Sequence, residues 1–390
     1  MLVFCAYNVK KSYVSKRGEP LRLIVSFCLM LLVFTIYTPA THASVNVSAE
    51  SAILMDQTTG RVLYEKNADN PDLIASITKI MTAIIAIESG KLNEKVRVSQ
   101  NAVYTEGSSI YLQEGDRFTL EELVYGLMLR SGNDAAVAIS EHVGESEEGF
   151  VYLMNEKARW LGMSNTHFDN PHGLDSETHY SSAYDMAILM RYASQNETFQ
   201  KISSAKEYKP EGRSYSWKNK NKLLTQLYQY CTGGKTGFTK AAGRTLVSTA
   251  EKNGQTLIAV TIDAPGDWED HISMFEFGFN SYPLQKIQES GIFPWQVEST
   301  ETIQKGRIKE MVYYPLAEEE LNQIKSQTYL SEKELPFDKI GEKIFYLNGN
   351  QIARVPIYDT GEHKDGTEEK DSWLDKFLNM FQQFSGGKYG

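Results

Sequence analysis

The 390-residue sequence predicts a mixed α+β chain: helices packed on a largely antiparallel sheet, then a small β-rich domain and a C-terminal amphipathic helix. Three observations carry this. Short alternating runs at 51–64 read as strands, the middle of the chain is helix-periodic, and strand patterning returns at 244–263. One sheet is therefore built from distant segments around a helical layer. The composition, 41% hydrophobic and 23% charged, is that of a globular protein of two or three domains. A net charge of −10 is a poor footprint for phosphate backbones and argues against nucleic acid as a partner.

Residues 1–43 read as a secretory signal peptide. Lys10, Lys11, Lys16, Arg17 and Arg22 precede a charge-free apolar stretch from Leu23 to Tyr37, and Thr41-His42-Ala43 offers a small-residue cleavage site. Fifteen uncharged residues fall short of the roughly 20 that a spanning helix needs, and an uncleaved anchor would carry the same consequence, export. Cleavage removes five positive charges and one negative, so the net charge of −10 becomes −14. It also removes Cys5 and Cys28, leaving Cys231 with no intrachain disulfide partner; an inert thiol is its expected role.

The main domain is expected over 44–282. Ala52–Asp56 and Arg61–Tyr64 flank Thr58-Thr59-Gly60 as a hairpin. From Ala75 to Glu88 the isoleucines surround most of a helical wheel, so that helix should be largely buried, with Gly90 ending it. Further helices start at Thr119, with Glu122 completing a capping box, at Asn133, at Glu148 and at Ser182, boxed by Asp185. Arg244–Ala250 and Thr256–Asp263 are strands joined by Asn253-Gly254, a strong hairpin signal. Residues 283–358, with apolar runs at Val312–Tyr314, Ile344–Leu347 and Ile352–Val355, read as the β-rich domain. A charged linker follows at 359–371. Over 372–384, Trp373, Leu374, Phe377, Leu378, Met380, Phe381 and Phe384 share an arc of about 160°, an amphipathic helix. It docks on the protein, on a partner or in a membrane interface, and its tether and aromatic face favour the membrane surface.

The chemistry sits in an ordered set of short motifs. Ser76-Ile77-Thr78-Lys79 opens the buried helix, so Ser76 and Lys79 share a face. A serine needs a base to attack a carbonyl, and a lysine can serve if burial leaves its amine partly neutral. Alone this means little: Ser-x-x-Lys recurs at Ser203 and Ser385, and Ser-x-Asn occurs at Ser44, Ser131 and Ser194. A serine at a helix start is usually a cap, and Ser-Gly-Asn is a common turn. Lys235-Thr236-Gly237, however, occurs once, and the order Ser76, then Ser131-Gly132-Asn133, then Lys235 is that of serine acyl-transferases acting on penicillin and D-alanyl peptides.

On these residues the chain resembles the low-molecular-mass penicillin-binding proteins, D-alanyl-D-alanine carboxypeptidases with a β-lactamase/transpeptidase-like domain. The stretches 75–83, 126–136 and 232–239 look most like the sporulation-associated member of endospore formers. The resemblance implies that Ser76 attacks the penultimate D-Ala carbonyl of a peptidoglycan pentapeptide stem while Lys79 takes its proton and Ser131 relays protons. It further implies that Asn133 holds the peptide amide, that Lys235 and Thr236 bind the terminal carboxylate, and that the N–H groups of Ser76 and Phe238 polarise the carbonyl. Gly237 is expected to let substrate lie along its strand. β-Lactam antibiotics would be covalent inhibitors, no metal or organic cofactor is implied, and the site of action is the outer face of the cytoplasmic membrane. His142, His167, His172, His179 and His271 lack zinc-like clustering and read as structural or surface residues. Arg244 reads as a strand-face salt bridge.

Two alternatives stand beside this reading. A β-lactamase would carry a water-activating Glu in the loop that here reads His167-Phe168-Asp169-Asn170-Pro171-His172-Gly173, where Asp169 is the only acid. A non-catalytic sensor acylated by antibiotic would need a transmitting segment.

Overall fold

The computed structural model of the protein describes residues 45–296, 303–331 and 335–360. The expected signal segment and the amphipathic helix at 372–384 lie outside these residues. Strands β1 (Ser51–Asp56) and β2 (Val62–Lys66) form the opening hairpin. A 3₁₀ turn, Ala75–Thr78, leads into α1 (Lys79–Glu88). The helical layer continues with α2 (Gln100–Val103), α3 (Leu120–Arg130), α4 (Asn133–Gly144), α5 (Glu147–Leu161), α6 (Ala183–Ala193) and α7 (Glu197–Ser203). Strands β3 (Lys95–Arg97) and β4 (Arg117–Thr119) pair within it, as do β5 (Glu207–Tyr208) and β6 (Trp217–Lys218). Strands β7 (Cys231–Thr239), β8 (Gly243–Lys252) and β9 (Gln255–Ile262) then complete a five-stranded antiparallel sheet in the order β2-β1-β9-β8-β7. Asn253 and Gly254 both take positive φ, 55° and 78°, as the tight β8–β9 turn requires.

Both faces of this sheet are covered. Ile53, Val247 and Val260 pack against the isoleucines of α1 and the helices around it. On the opposite face Leu54, Leu246 and Leu257 meet Met274, Phe275 and Phe279 of α8 (Asp267–Ser281), a helix the sequence reading left unassigned. Its signal was there: His271, Met274, Phe275, Gly278 and Phe279 are buried at helical spacing. Every residue of α1 except Glu88 is buried, in line with the all-round apolar pattern. Thr119 and Glu122 form the expected capping box.

One local difference shapes the site. The stretch expected as helix from Ala75 begins as a 3₁₀ turn, because Ala75 sits in the left-handed region at φ 49° and the first turn cannot be regular α. A Cβ on Gly173, itself at φ 84°, would stand 1.9 Å from the Ala75 carbonyl oxygen, so only glycine lets the 167–174 loop close against this turn.

Past α8, β10 (Leu284–Gln288) pairs with a strand at Val312–Pro315, labelled β13 in chain order after β11 (Gly291–Gln296) and β12 (Ile303–Ile308). Strands β14 (Lys325–Leu330), β15 (Lys339–Leu347) and β16 (Asn350–Asp359) join β11 and β12 in a second antiparallel sheet, ordered β11-β12-β16-β15-β14. Its small core is Ile308, Phe345, Val355 and Ile357. Arg61, at the foot of β2, ties this part to the first sheet: it donates to the Pro315 carbonyl and pairs with Glu320, both at 2.5 Å, while lying over the Tyr282 and Tyr314 rings.

Candidate active site

The edge strand β7 runs beside the Ala75–Thr78 turn, and a missing side chain permits the approach. A Cβ on Gly237 would lie 2.3 Å from Thr245 Oγ1 and 2.8 Å from the Ser76 backbone nitrogen. Gly237 is thus required by the packing of strand against turn, a constraint additional to the expected room for substrate. Thr245 Oγ1 donates to the Ile74 carbonyl at 2.9 Å, fastening the turn to β8.

Lys79, the first residue of α1, is fully buried. Its Nζ lies 2.9 Å from Ser76 Oγ, 2.7 Å from Asn133 Oδ1 and 2.5 Å from the His172 carbonyl. Ser131 caps α3 in the left-handed conformation at φ 64°, and Asn133 begins α4, so the Ser-Gly-Asn motif is the corner between two helices. Lys235, buried on β7, reaches across with Nζ 3.0 Å from Ser131 Oγ and donates to the Thr236 carbonyl at 2.6 Å. The Asn133 amide donates to the Glu106 carbonyl at 2.6 Å and keeps its second hydrogen for a ligand. Ser76, Ser131, Thr236, Gly237 and Phe238 line one cleft of about 290 Å³, and the buried Lys79 and Lys235 reach its lining through Ser76 Oγ and Ser131 Oγ, with Asn133 bonded to Lys79; Phe238 is 65% exposed at its mouth.

The electrostatics follow from burial. Loss of solvent, then the charges of Lys235 and Lys220, hold the Lys79 amine well below the ordinary lysine value, with Asp134 opposing. Lys235 is pushed down to about 7 by burial and by Lys220. A neutral amine donates two hydrogens and accepts one. Lys79 can then donate to Asn133 Oδ1 and the His172 carbonyl while its lone pair faces the Ser76 hydroxyl.

Several cleft residues escaped the sequence reading. Lys220 and Ser108 face each other at 3.4 Å across one rim. Asp134 accepts from Ser109 Oγ and from the backbone of Ile110 and Leu112, fixing the loop that carries Ser108. Asp134 directly follows the Ser-x-Asn motif, which was the available signal. Arg244 does form a salt bridge, its Nε 3.0 Å and Nη2 2.5 Å from Asp267 Oδ1, and that pair closes one end of the cleft beside Trp268. The histidines take the structural roles expected: His179 Nε2 lies 2.8 Å from Thr78 Oγ1, and His271 sits between Ser248 and Thr261. Cys231 is buried and its thiol is pushed up to about 11 by burial, an unreactive state.

A serine beside a buried, depressed lysine, facing a lysine-bearing edge strand, defines a serine acyl-hydrolase site. Comparison with known proteins narrows the class. A family model described as D-alanyl-D-alanine carboxypeptidase matches residues 38–266. The D-alanyl-D-alanine carboxypeptidase DacF of Bacillus subtilis is 34% identical over 333 residues, 79% of this chain and 84% of that protein. DacD of Escherichia coli is 32% identical, over 80% of this chain and 86% of its own length. Among solved structures, penicillin binding protein 5 from Haemophilus influenzae superposes with a TM-score of 0.66 at 27% identity, covering 80% of this chain and 96% of that one. Penicillin binding protein 6B from Escherichia coli gives 0.64 at 30% identity, covering 82% and 97%. The chain belongs to the D-alanyl-D-alanine carboxypeptidase family and is a serine-type hydrolase.

Proposed function

We propose that this serine-type D-alanyl-D-alanine carboxypeptidase removes the terminal D-Ala of peptidoglycan stem pentapeptides through an acyl-enzyme on Ser76. The observation that carries the assignment is Lys79 Nζ at 2.9 Å from Ser76 Oγ in a buried site that disfavours the ammonium form. Neutral Lys79 takes the Ser76 proton as Oγ attacks the penultimate carbonyl carbon. The N–H groups of Ser76 and Phe238 receive the developing oxyanion. The C–N bond then breaks, and the proton returns from Lys79 through Ser131 to the leaving D-Ala amine; water hydrolyses the ester. Charged Lys235 and the Thr236 hydroxyl hold the terminal carboxylate, and Asn133 Nδ2 donates to the peptide carbonyl.

The same serine takes β-lactams as slowly released covalent inhibitors. Fast release by a loop carboxylate is disfavoured because Asp169 is committed elsewhere: it accepts from Ser176 and from Thr178 at 2.7 Å and faces His167 at 3.2 Å. The loop offers the site the His172 carbonyl, not an acid. Ser76→Ala is expected to abolish both D-Ala release and penicillin acylation with the fold intact; retention of either activity would remove Ser76 from its role.

The segment 1–43 directs export, and residues 372–384, expected from the sequence as an amphipathic helix, hold the enzyme on the outer face of the membrane by their aromatic arc. Truncation before Asp371 should leave activity on soluble peptide unchanged while freeing the protein from membranes. If the truncated chain still sediments with membranes, the anchor lies elsewhere. A part in spore cortex synthesis rests on the motif stretches alone; it predicts expression confined to sporulating cells, and expression throughout growth would contradict it.

A further inference from the structure

A second cavity, about 570 Å³, lies away from the catalytic cleft. It lies on the second sheet, lined by Gln323, Lys325, Gln327, Tyr346, Asn348 and Gly349, and its size falls within the roughly 300–1,000 Å³ of small-molecule sites. Lys325 and Gln327 are alternate residues of β14, the edge strand, so they share a face, and Lys325 stands opposite Tyr346 of β15. Asn348 and Gly349, at φ 52° and 84°, form the tight β15–β16 turn that makes one rim.

We propose that this cavity binds saccharide, namely the glycan backbone of the polymer whose stem peptides the catalytic cleft trims; the proposal rests on the functional reading above. The lining is three amides, a phenol ring and one cation, with no carboxylate and no aliphatic side chain. Amides present a donor and an acceptor at fixed spacing, which suits neighbouring hydroxyls and acetamido groups, and a tyrosine ring covers the C–H face of a sugar. Two of the three amides are already oriented. Tyr329 Oη donates to Gln327 Oε1 at 2.7 Å, leaving Gln327 Nε2 as a donor, and Gln323 Nε2 donates to the Glu319 carbonyl at 2.8 Å, leaving Gln323 Oε1 as an acceptor. Among the described residues no hydrogen bond or ion pair engages Lys325 Nζ or the Asn348 amide. The apolar surface of the cavity comes from the tyrosine ring and the methylene stems of the amide and lysine side chains, which suits the C–H faces of a sugar. Two contacts on one polymer raise the local concentration of stems at Ser76 without any change in the catalytic residues.

The test uses the full mature chain and, as probe, glycan strands stripped of their stem peptides, with chitotetraose as a defined substitute. Binding is read by saturation-transfer NMR and by titration. Gln327→Ala and Tyr346→Ala should each weaken binding by roughly tenfold or more, the loss of one or two well-made polar contacts. Both should leave kcat/KM on a soluble D-Ala-D-Ala tripeptide unchanged while raising KM on intact sacculi. Gln327 is exposed on an edge strand, so that variant keeps the test valid where Tyr346→Ala fails to fold. No binding by the parent protein, equal binding by parent and both variants, or saturation of the cavity by free stem peptide and not by glycan would overturn the proposal. Loss of tripeptide hydrolysis or of Ser76 acylation in the parent, with glycan binding retained, would instead overturn the functional reading.

Discussion

The cleft at Ser76 and the cavity on the second sheet invert the usual relation between size and chemistry. The one at Ser76 holds about 290 Å³, and its key side chains, Lys79, Ser131, Asn133 and Lys235, are buried and cross-linked by hydrogen bonds. The one on the second sheet holds about 570 Å³ and is lined by exposed amides and a half-exposed tyrosine. Burial makes the difference. On the function proposed above, burying Lys79 and Lys235 is what would make the Ser76 hydroxyl a nucleophile, whereas solvated amides can recognise but not transform. Reactivity here depends on how completely the polar atoms are enclosed and paired, not on the volume of the cleft.

The contrast breaks most visibly at Lys79. Lys79→Ala removes the base and leaves Asn133 Oδ1 and the His172 carbonyl unpaired in a dry site; kcat on a soluble tripeptide should fall by roughly 10²–10⁴, the worth of a positioned base. A kinetic assay in which the variant kept a tenth of its activity would show that Ser76 is activated otherwise. Next comes Lys235. Because its charge must be present and its amine is held down to about 7, kcat/KM should rise with pH as Lys79 loses its proton and fall again on the alkaline side as Lys235 does. Lys235→Arg keeps the charge, so the alkaline limb should move well above its original position, with KM raised several-fold by the altered geometry. An unmoved limb would assign that ionisation to another group.

A smaller effect concerns stability. His172, His179 and His271 are held down to about 3, 4 and 3, in each case chiefly by burial, against 6.5 for free histidine. Between these values the unfolded chain binds more protons than the folded one. Stability should therefore be complete above about pH 6.5 and fall as the pH drops towards about 3. Thermal melts of His271→Gln, distant from the cleft in the core between β8, β9 and α8, should show a shallower acid decline than the parent. An identical pH slope would place the proton uptake elsewhere. The smallest effect belongs to the second cleft, where Gln327→Ala should leave soluble-peptide turnover unchanged.

Legibility in the sequence followed the same divide. Ser76, Lys79, Ser131, Asn133 and Lys235 were readable because their chemistry needs fixed residue types in a fixed order, and the structure gathers all five around one cleft. The hairpins and the buried α1 were readable from periodicity and from Asn253-Gly254. What stayed hidden was set by tertiary contact. The left-handed Ala75 exists because Gly173 closes upon it, and Lys220 reaches the rim only because the backbone N–H of Lys220 is held by the Leu129 carbonyl. Strands β12 (IQKGRI) and β14 (KSQTYL) were missed because they carry too few apolar residues to alternate; pairing defines them, with Ile308 of β12 the one side chain seated in the sheet's core. Helix α8 was legible in principle, since His271, Met274, Phe275, Gly278 and Phe279 recur at helical spacing behind the acidic first turn of Asp267, Glu269 and Asp270.

The account stands or falls on Ser76. The most direct test is intact-protein mass spectrometry of the mature chain with penicillin, adduct mapping by proteolysis, and quantified D-Ala release from a pentapeptide ending in D-Ala-D-Ala. A long-lived adduct on Ser76 together with steady D-Ala release is the predicted result. Rapid loss of the adduct without D-Ala release, a stable adduct without turnover, or an adduct mapped to any other residue would contradict it.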